Sequence, residues 1–90
     1  MVETERYFLS YSGITLPLRL LEEISAEGLA HRNTWFRASY DATGRMLRCE
    51  KMVYGDVEMV HDYRYDAAGT LIEATVRIGE DEPQTIRFAR

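Results

Sequence analysis

Little in this chain could staple, coordinate or span. Ninety residues contain one cysteine, Cys49, so no internal disulfide can form, and a small domain without one suits a reducing compartment. The two histidines, His31 and His61, stand far from each other and from Cys49 and show no ligand spacing, so neither a metal nor a cofactor is expected. No apolar run approaches bilayer-spanning length. The opening Met1-Val2-Glu3-Thr4-Glu5-Arg6 also lacks the basic-then-apolar order of a signal peptide. The cytoplasm is therefore the expected location, and a membrane is not an expected partner.

Positive charge is scarce. Eleven basic residues face fifteen acidic ones, for a net charge of −4, and they form no basic stripe. Nucleic acid, whose phosphates call for one, is not an expected partner. Lys51 is the only lysine, so nearly all the positive charge is guanidinium, suited to planar pairing with carboxylates. A Gly-rich phosphate loop, His-Glu-x-x-His, Gly-x-Ser-x-Gly and paired cysteines are all missing, and nothing in the chain asks for catalysis. Without a linker or low-complexity tract, residues 1–90 read as one domain. A domain of this size buries only about two-thirds of the surface its unfolded chain exposes, which makes support from a second copy attractive.

What is present is a repeated unit, Tyr40-Asp41-Ala42-Thr43-Gly44 and Tyr65-Asp66-Ala67-Ala68-Gly69, each followed by a Leu. Asp opening a type I turn and Gly closing it in the left-handed region mark a β-hairpin with a Gly bulge. Aromatic and β-branched residues alternate with polar ones between turn signals about ten residues apart, the pattern of an antiparallel all-β domain. Strands are expected at 5–12, 14–21, 33–41, 45–55, 56–66, 70–78 and 84–89, forming a bent, half-barrel meander. Pro17 points to an edge for the second strand. One short helical turn fits within 20–31, with Ser25 as a candidate cap.

The turns also set a register. Pairing Asp41 with Arg45, Asp66 with Thr70, and Tyr54 with Val57 about a Gly55-Asp56 turn puts Phe36, Tyr40, Met46, Met52, Tyr54, Val57, Met59, Tyr63, Tyr65 and Leu71 on one face. Trp35, Leu47, Cys49, Val53, Val60, Ile72, Ala74, Val76 and Ile78 fall on the other. In this register Arg48, Tyr63 and Glu73 form one cross-strand row, and Glu50, His61 and Thr75 the next. A carboxylate beside an imidazole is the minimum for acid–base work, and an Arg nearby could hold an anion. The same charges equally serve as cross-strand pairs. Cys49, in a strand, reads as a small buried residue, and Trp35 as a core anchor.

The Tyr-Asp-x-x-Gly-x-x-Leu pattern of Tyr40 to Leu47, with its variant at Tyr65 to Leu71, resembles the YD repeat of Rhs and teneurin-type proteins. Leu9 to Leu18, Arg32 to Asp41 and Glu50 to Glu58 together are similar to a family of short bacterial proteins of unknown function. That resemblance implies a free-standing cytoplasmic protein and brings no activity or catalytic residue with it. The resulting expectation is a binding or interaction module without catalytic residues. It would self-associate or hold a protein partner through Tyr54, Tyr63 and Tyr65, whose rings offer large contact area at low entropy cost. The alternative is a small-ligand site or weak enzyme in a cupped sheet, using Arg48, Glu50, His61 and Glu73.

Overall fold

The structure, a computed structural model, describes residues 3–13 and 15–88. Seven antiparallel strands follow the alternating segments: β1 (Thr4–Ser12), β2 (Arg19–Ile24), β3 (Thr34–Tyr40), β4 (Met46–Val53), β5 (Asp56–Tyr65), β6 (Leu71–Ile78) and β7 (Gln84–Arg87). They form one open sheet in the order β2-β1-β3-β4-β5-β6-β7. From β3 to β7 the chain is a plain meander, whereas β1 sits between β2 and β3. The expected strand starting at 14 and the one ending at 89 each include a position outside the described residues. β2 is an edge, as Pro17 suggested, but Pro17 itself precedes the strand. Leu20 to Ile24 belong to β2, and the helical turn is confined to a 3-10 helix, Ala26–His31, whose N-cap Ser25 makes no side-chain capping bond.

Both repeats build the same hairpin. The Oδ1 of Asp41 accepts the N–H groups of Thr43 (2.9 Å) and Arg45 (3.0 Å), and the Oδ1 of Asp66 accepts those of Ala68 (2.9 Å) and Thr70 (2.9 Å). Gly44 N–H donates to Asp41 O and Gly69 N–H to Asp66 O, both at 3.0 Å. The two glycines sit at φ +88° and +87°, where a Cβ is disfavoured. The expected Asp41–Arg45 and Asp66–Thr70 closures are both formed, through Asp N–H bonds of 2.9 and 3.0 Å.

The third reversal differs from expectation. Tyr54-Gly55, rather than Gly55-Asp56, occupies the turn, and Val53 pairs with Asp56. Both turn residues have positive φ, +49° and +84°, the type I′ pattern that matches strand twist. Three bulges then move the register. Leu47 is left over between the pairs Tyr40–Met46 and Ser39–Arg48, and Ile72 between Tyr65–Leu71 and Arg64–Glu73. Glu58 is left over between Met52–Val57 and Lys51–Met59. Each extra residue turns everything beyond it to the opposite face.

Residues paired across strands share a face, so the inner face carries Phe8, Phe36, Ala38, Met46, Cys49, Tyr63 and Ala74, joined by Leu18 from the segment that runs over it. Tyr40, Met59, Tyr65, Leu71 and Phe88 pack around that cluster. Most of the expected aromatic and Met-rich face is thus the core of one chain, not a surface awaiting a second copy. Met52 and Val57 lie on the other face with Trp35, and Cys49 and Ala74 lie inside, reversed from expectation by the bulges.

Two substitutions test the turn assignments in opposite directions. An added Cβ at Gly44 meets nothing within 4 Å, so Gly44→Ala isolates the backbone strain and should cost about 1–2 kcal/mol in urea denaturation. Tyr54→Asn puts a residue that tolerates the left-handed region into the type I′ turn and should raise stability, by up to about 1 kcal/mol.

Candidate functional site

The inner face is not completely filled. A cleft of about 410 Å³ opens among Tyr11 of β1, Phe36 of β3, Lys51 of β4, Met59 and His61 of β5 and Ile78 of β6, with Gly13, Leu18 and Glu58 completing its lining. In a flat sheet β1 and β6 would stand four strand spacings apart, roughly 19 Å. Side chains from both line one cleft because the sheet curls around it.

Its walls are apolar and its polar groups few. Lys51 Nζ lies 3.2 Å from Glu58 Oε1 at the rim. That contact exists because the bulge at Glu58 places this carboxylate next to the Lys51–Met59 pair. His61 is 6% exposed and pairs across strands with Cys49 and Val76. Its Nδ1 is 2.6 Å from Tyr63 Oη, which also accepts the backbone N–H of Leu18 at 3.3 Å. The phenol oxygen accepts from the Leu18 N–H, and among the described residues Nδ1 is the only acceptor its own proton can reach, so that proton points to Nδ1. Nδ1 is therefore unprotonated, and the proton of the neutral ring sits on Nε2.

Burial lowers the His61 pKa, and the charge of Asp62 opposes this only in part. Burial also pushes the Tyr63 phenol up, which keeps its proton in the hydrogen bond. Cys49 is fully buried, and burial together with the neighbouring Glu50 charge pushes its thiol up to about 12. It is a thiol, not a thiolate nucleophile.

The structure separates the residues that the expected register had grouped. Glu50 lies opposite Arg37 and Val60 on the outer face, with Arg37 Nε 2.9 Å from Glu50 Oε1, whereas His61 faces inward. Arg48 pairs with Asp62 at 3.5 Å, and Glu73 lies between Arg64 (3.4 Å) and Arg87 (3.2 Å). The Arg48, Glu50, His61 and Glu73 cluster is not assembled, because the bulges at Leu47, Glu58 and Ile72 displace the pairings that would have made it. Of the three tyrosines expected at an interface, Tyr63 is 5% exposed, and Tyr65 is half-buried with its hydroxyl donating to Met46 O at 2.7 Å. Tyr54 alone projects, 76% exposed, at the hairpin tip. Sequence reasoning kept His61 but missed Tyr11, Lys51, Glu58 and Ile78 as its neighbours. No residue type marks the Glu58 bulge; the only available signal was that Lys51 has no other lysine for company.

A protein-family model matches residues 1–90, the whole length. The chain belongs to a family of unknown function (DUF6156). This agrees with the similarity of its Leu9–Leu18, Arg32–Asp41 and Glu50–Glu58 segments to an unknown-function family. No curated protein and no solved structure matches this DUF6156 chain. Among the described residues of the DUF6156 domain, no group of three or more His, Cys, Asp or Glu could hold a metal ion, and no helix is long and apolar enough to cross a membrane.

The buried imidazole predicts a pH dependence. Because the folded value of His61 lies below its ordinary 6.5, the unfolded chain takes up its proton first on acidification. The stability associated with neutral His61 is complete above about 6.5 and is lost as pH falls through the folded value. The urea midpoint should fall between pH 6.5 and 5, with a shallower fall in His61→Phe. Tyr63→Phe strands both Nδ1 and the Leu18 N–H and should cost about 1–3 kcal/mol at pH 7.

Proposed function

We propose that this DUF6156 protein is a non-catalytic binding module that takes an apolar group into the cleft of its curled sheet. The observation that carries this reading is the placement of exposed apolar surface. Among the described residues, Tyr11 and Ile78, 50% and 59% exposed, are two of the four large exposed apolar side chains, and both are lips of the cleft. A concave apolar site with a few convergent polar groups is the usual form of a small-molecule site. Chemistry is not favoured by the groups present, since Lys51 and Glu58 pair with each other and the thiol next to His61 is protonated.

Tyr54 supports a second contact, with a protein partner or another copy. A large aromatic is held at positive φ and projects into solvent, where Asn would suit the backbone better. Sedimentation velocity on the wild type and Tyr54→Ala at high concentration tests the self-association form of this reading, and a monomer in both removes it.

For the cleft, the uncharged fluorescent probe prodan, an aryl ketone, should bind the native protein at pH 7. Ile78→Glu, at an exposed position, should keep the circular dichroism spectrum and weaken binding at least about fivefold. Unchanged affinity would remove the cleft as the site.

A further inference from the structure

The polar inventory of the cleft narrows what it can accept, if the cleft is the binding site as proposed above. The Lys51–Glu58 pair at the rim cancels its own charge. Inside, the titratable side chain is His61, more than nine-tenths buried, with Nδ1 held by Tyr63. Tyr63 is not part of the lining while His61 is. The ring edge that remains for the cleft is therefore the one bearing Nε2, which makes no hydrogen bond among the described residues and is not closed off from solvent. The Leu18 N–H, acting through the Tyr63 hydroxyl, places the imidazole proton on that nitrogen. The cleft thus presents one accessible N–H donor, on a ring otherwise almost fully buried, against walls formed by Phe36, Met59, Tyr11 and Ile78.

We infer that the cleft selects a small uncharged apolar molecule bearing one hydrogen-bond acceptor, such as a ketone or ester carbonyl, which the Nε2–H of His61 receives. An ammonium or other donor would oppose that N–H head-on. A carboxylate would have to enter past the Glu58 charge and compete for Lys51. A pure hydrocarbon would fill the walls and cover the donor without matching it, whereas a carbonyl satisfies it. A volume of about 410 Å³ lies toward the small end of the range for such sites.

Acetophenone and ethylbenzene, close in shape and differing in the acceptor, test this in the intact protein by amide chemical-shift titration. Both should shift the signals of Met59, His61 and Ile78, with acetophenone about three- to tenfold tighter, the span of one neutral hydrogen bond. Tyr63→Phe, which frees the tautomer, should shrink that ratio toward one. Nitrogen-15 spectra of the wild-type imidazole should show the proton on Nε2, a readout that needs no variant to fold. Equal affinities, tighter binding of benzylammonium than of acetophenone, or a proton found on Nδ1 would overturn the ligand class while leaving the cleft reading standing. Failure of every probe to shift these signals would overturn the cleft reading itself.

Discussion

Two carboxylate oxygens, Asp41 Oδ1 and Asp66 Oδ1, gather the N–H groups of their loops and leave each hairpin a single geometry. Burying or stranding those N–H groups would be costly, so the three-residue loop is a strong local preference, independent of what the strands later pack against. Because both loops close identically, both strand pairs start in the same phase. Each also carries its extra residue at the same distance past the loop, Leu47 in one and Ile72 in the other. That repeated offset decides which side of the sheet is dry. It turns Cys49 and Ala74 inward beside Phe36, Met46 and Tyr63, and it sends Arg48, Glu50 and Glu73 outward to pair with charges on neighbouring strands.

The architecture was therefore legible to the extent that backbone conformation depends on residue type. Gly44 and Gly69 announce positive φ, Asp41 and Asp66 announce a side chain that captures N–H groups, and the alternation between them announces strands. The inward set of Phe36, Tyr40, Met46, Met59, Tyr63, Tyr65 and Leu71 could likewise be read from alternation near the loops. Leu47, Glu58 and Ile72 announce nothing, because a bulge can be made by ordinary residues when the packing beyond it favours the shift. At Tyr54-Gly55 a large aromatic occupies a left-handed position that sequence statistics assign to Asn or Gly, so counting placed the turn one residue late. The candidate site suffered most, since it depended on pairings several residues from each turn. His61 alone survived, with a different set of neighbours.

The inner face combines a conventional core with one polar line that crosses it, from the Leu18 backbone through the Tyr63 hydroxyl to His61. That line links the segment leading into an edge strand to the middle of the sheet. It gives a buried imidazole a defined hydrogen-bonding direction, with no ion pair to it among the described residues. On the outer face, long side chains do comparable work by covering apolar residues. Val60 is buried between Glu50 and Arg77 on the neighbouring strands, and Trp35 packs edge-on against Tyr7 with ring centroids 5.9 Å apart. A single open sheet can in this way shelter apolar groups on both sides, one by curling and the other by the long polar and aromatic side chains that lie across it.

The scarcity of lysine takes on a practical meaning once the position of Lys51 is known. The chain's one lysine side chain stands at the mouth of the cleft, 33% exposed and held beside Glu58. Amine-selective reagents thus have one side-chain target in the entire protein, and it borders the cavity. A dye or a photo-crosslinker attached there would report on whatever enters, without any engineered attachment point.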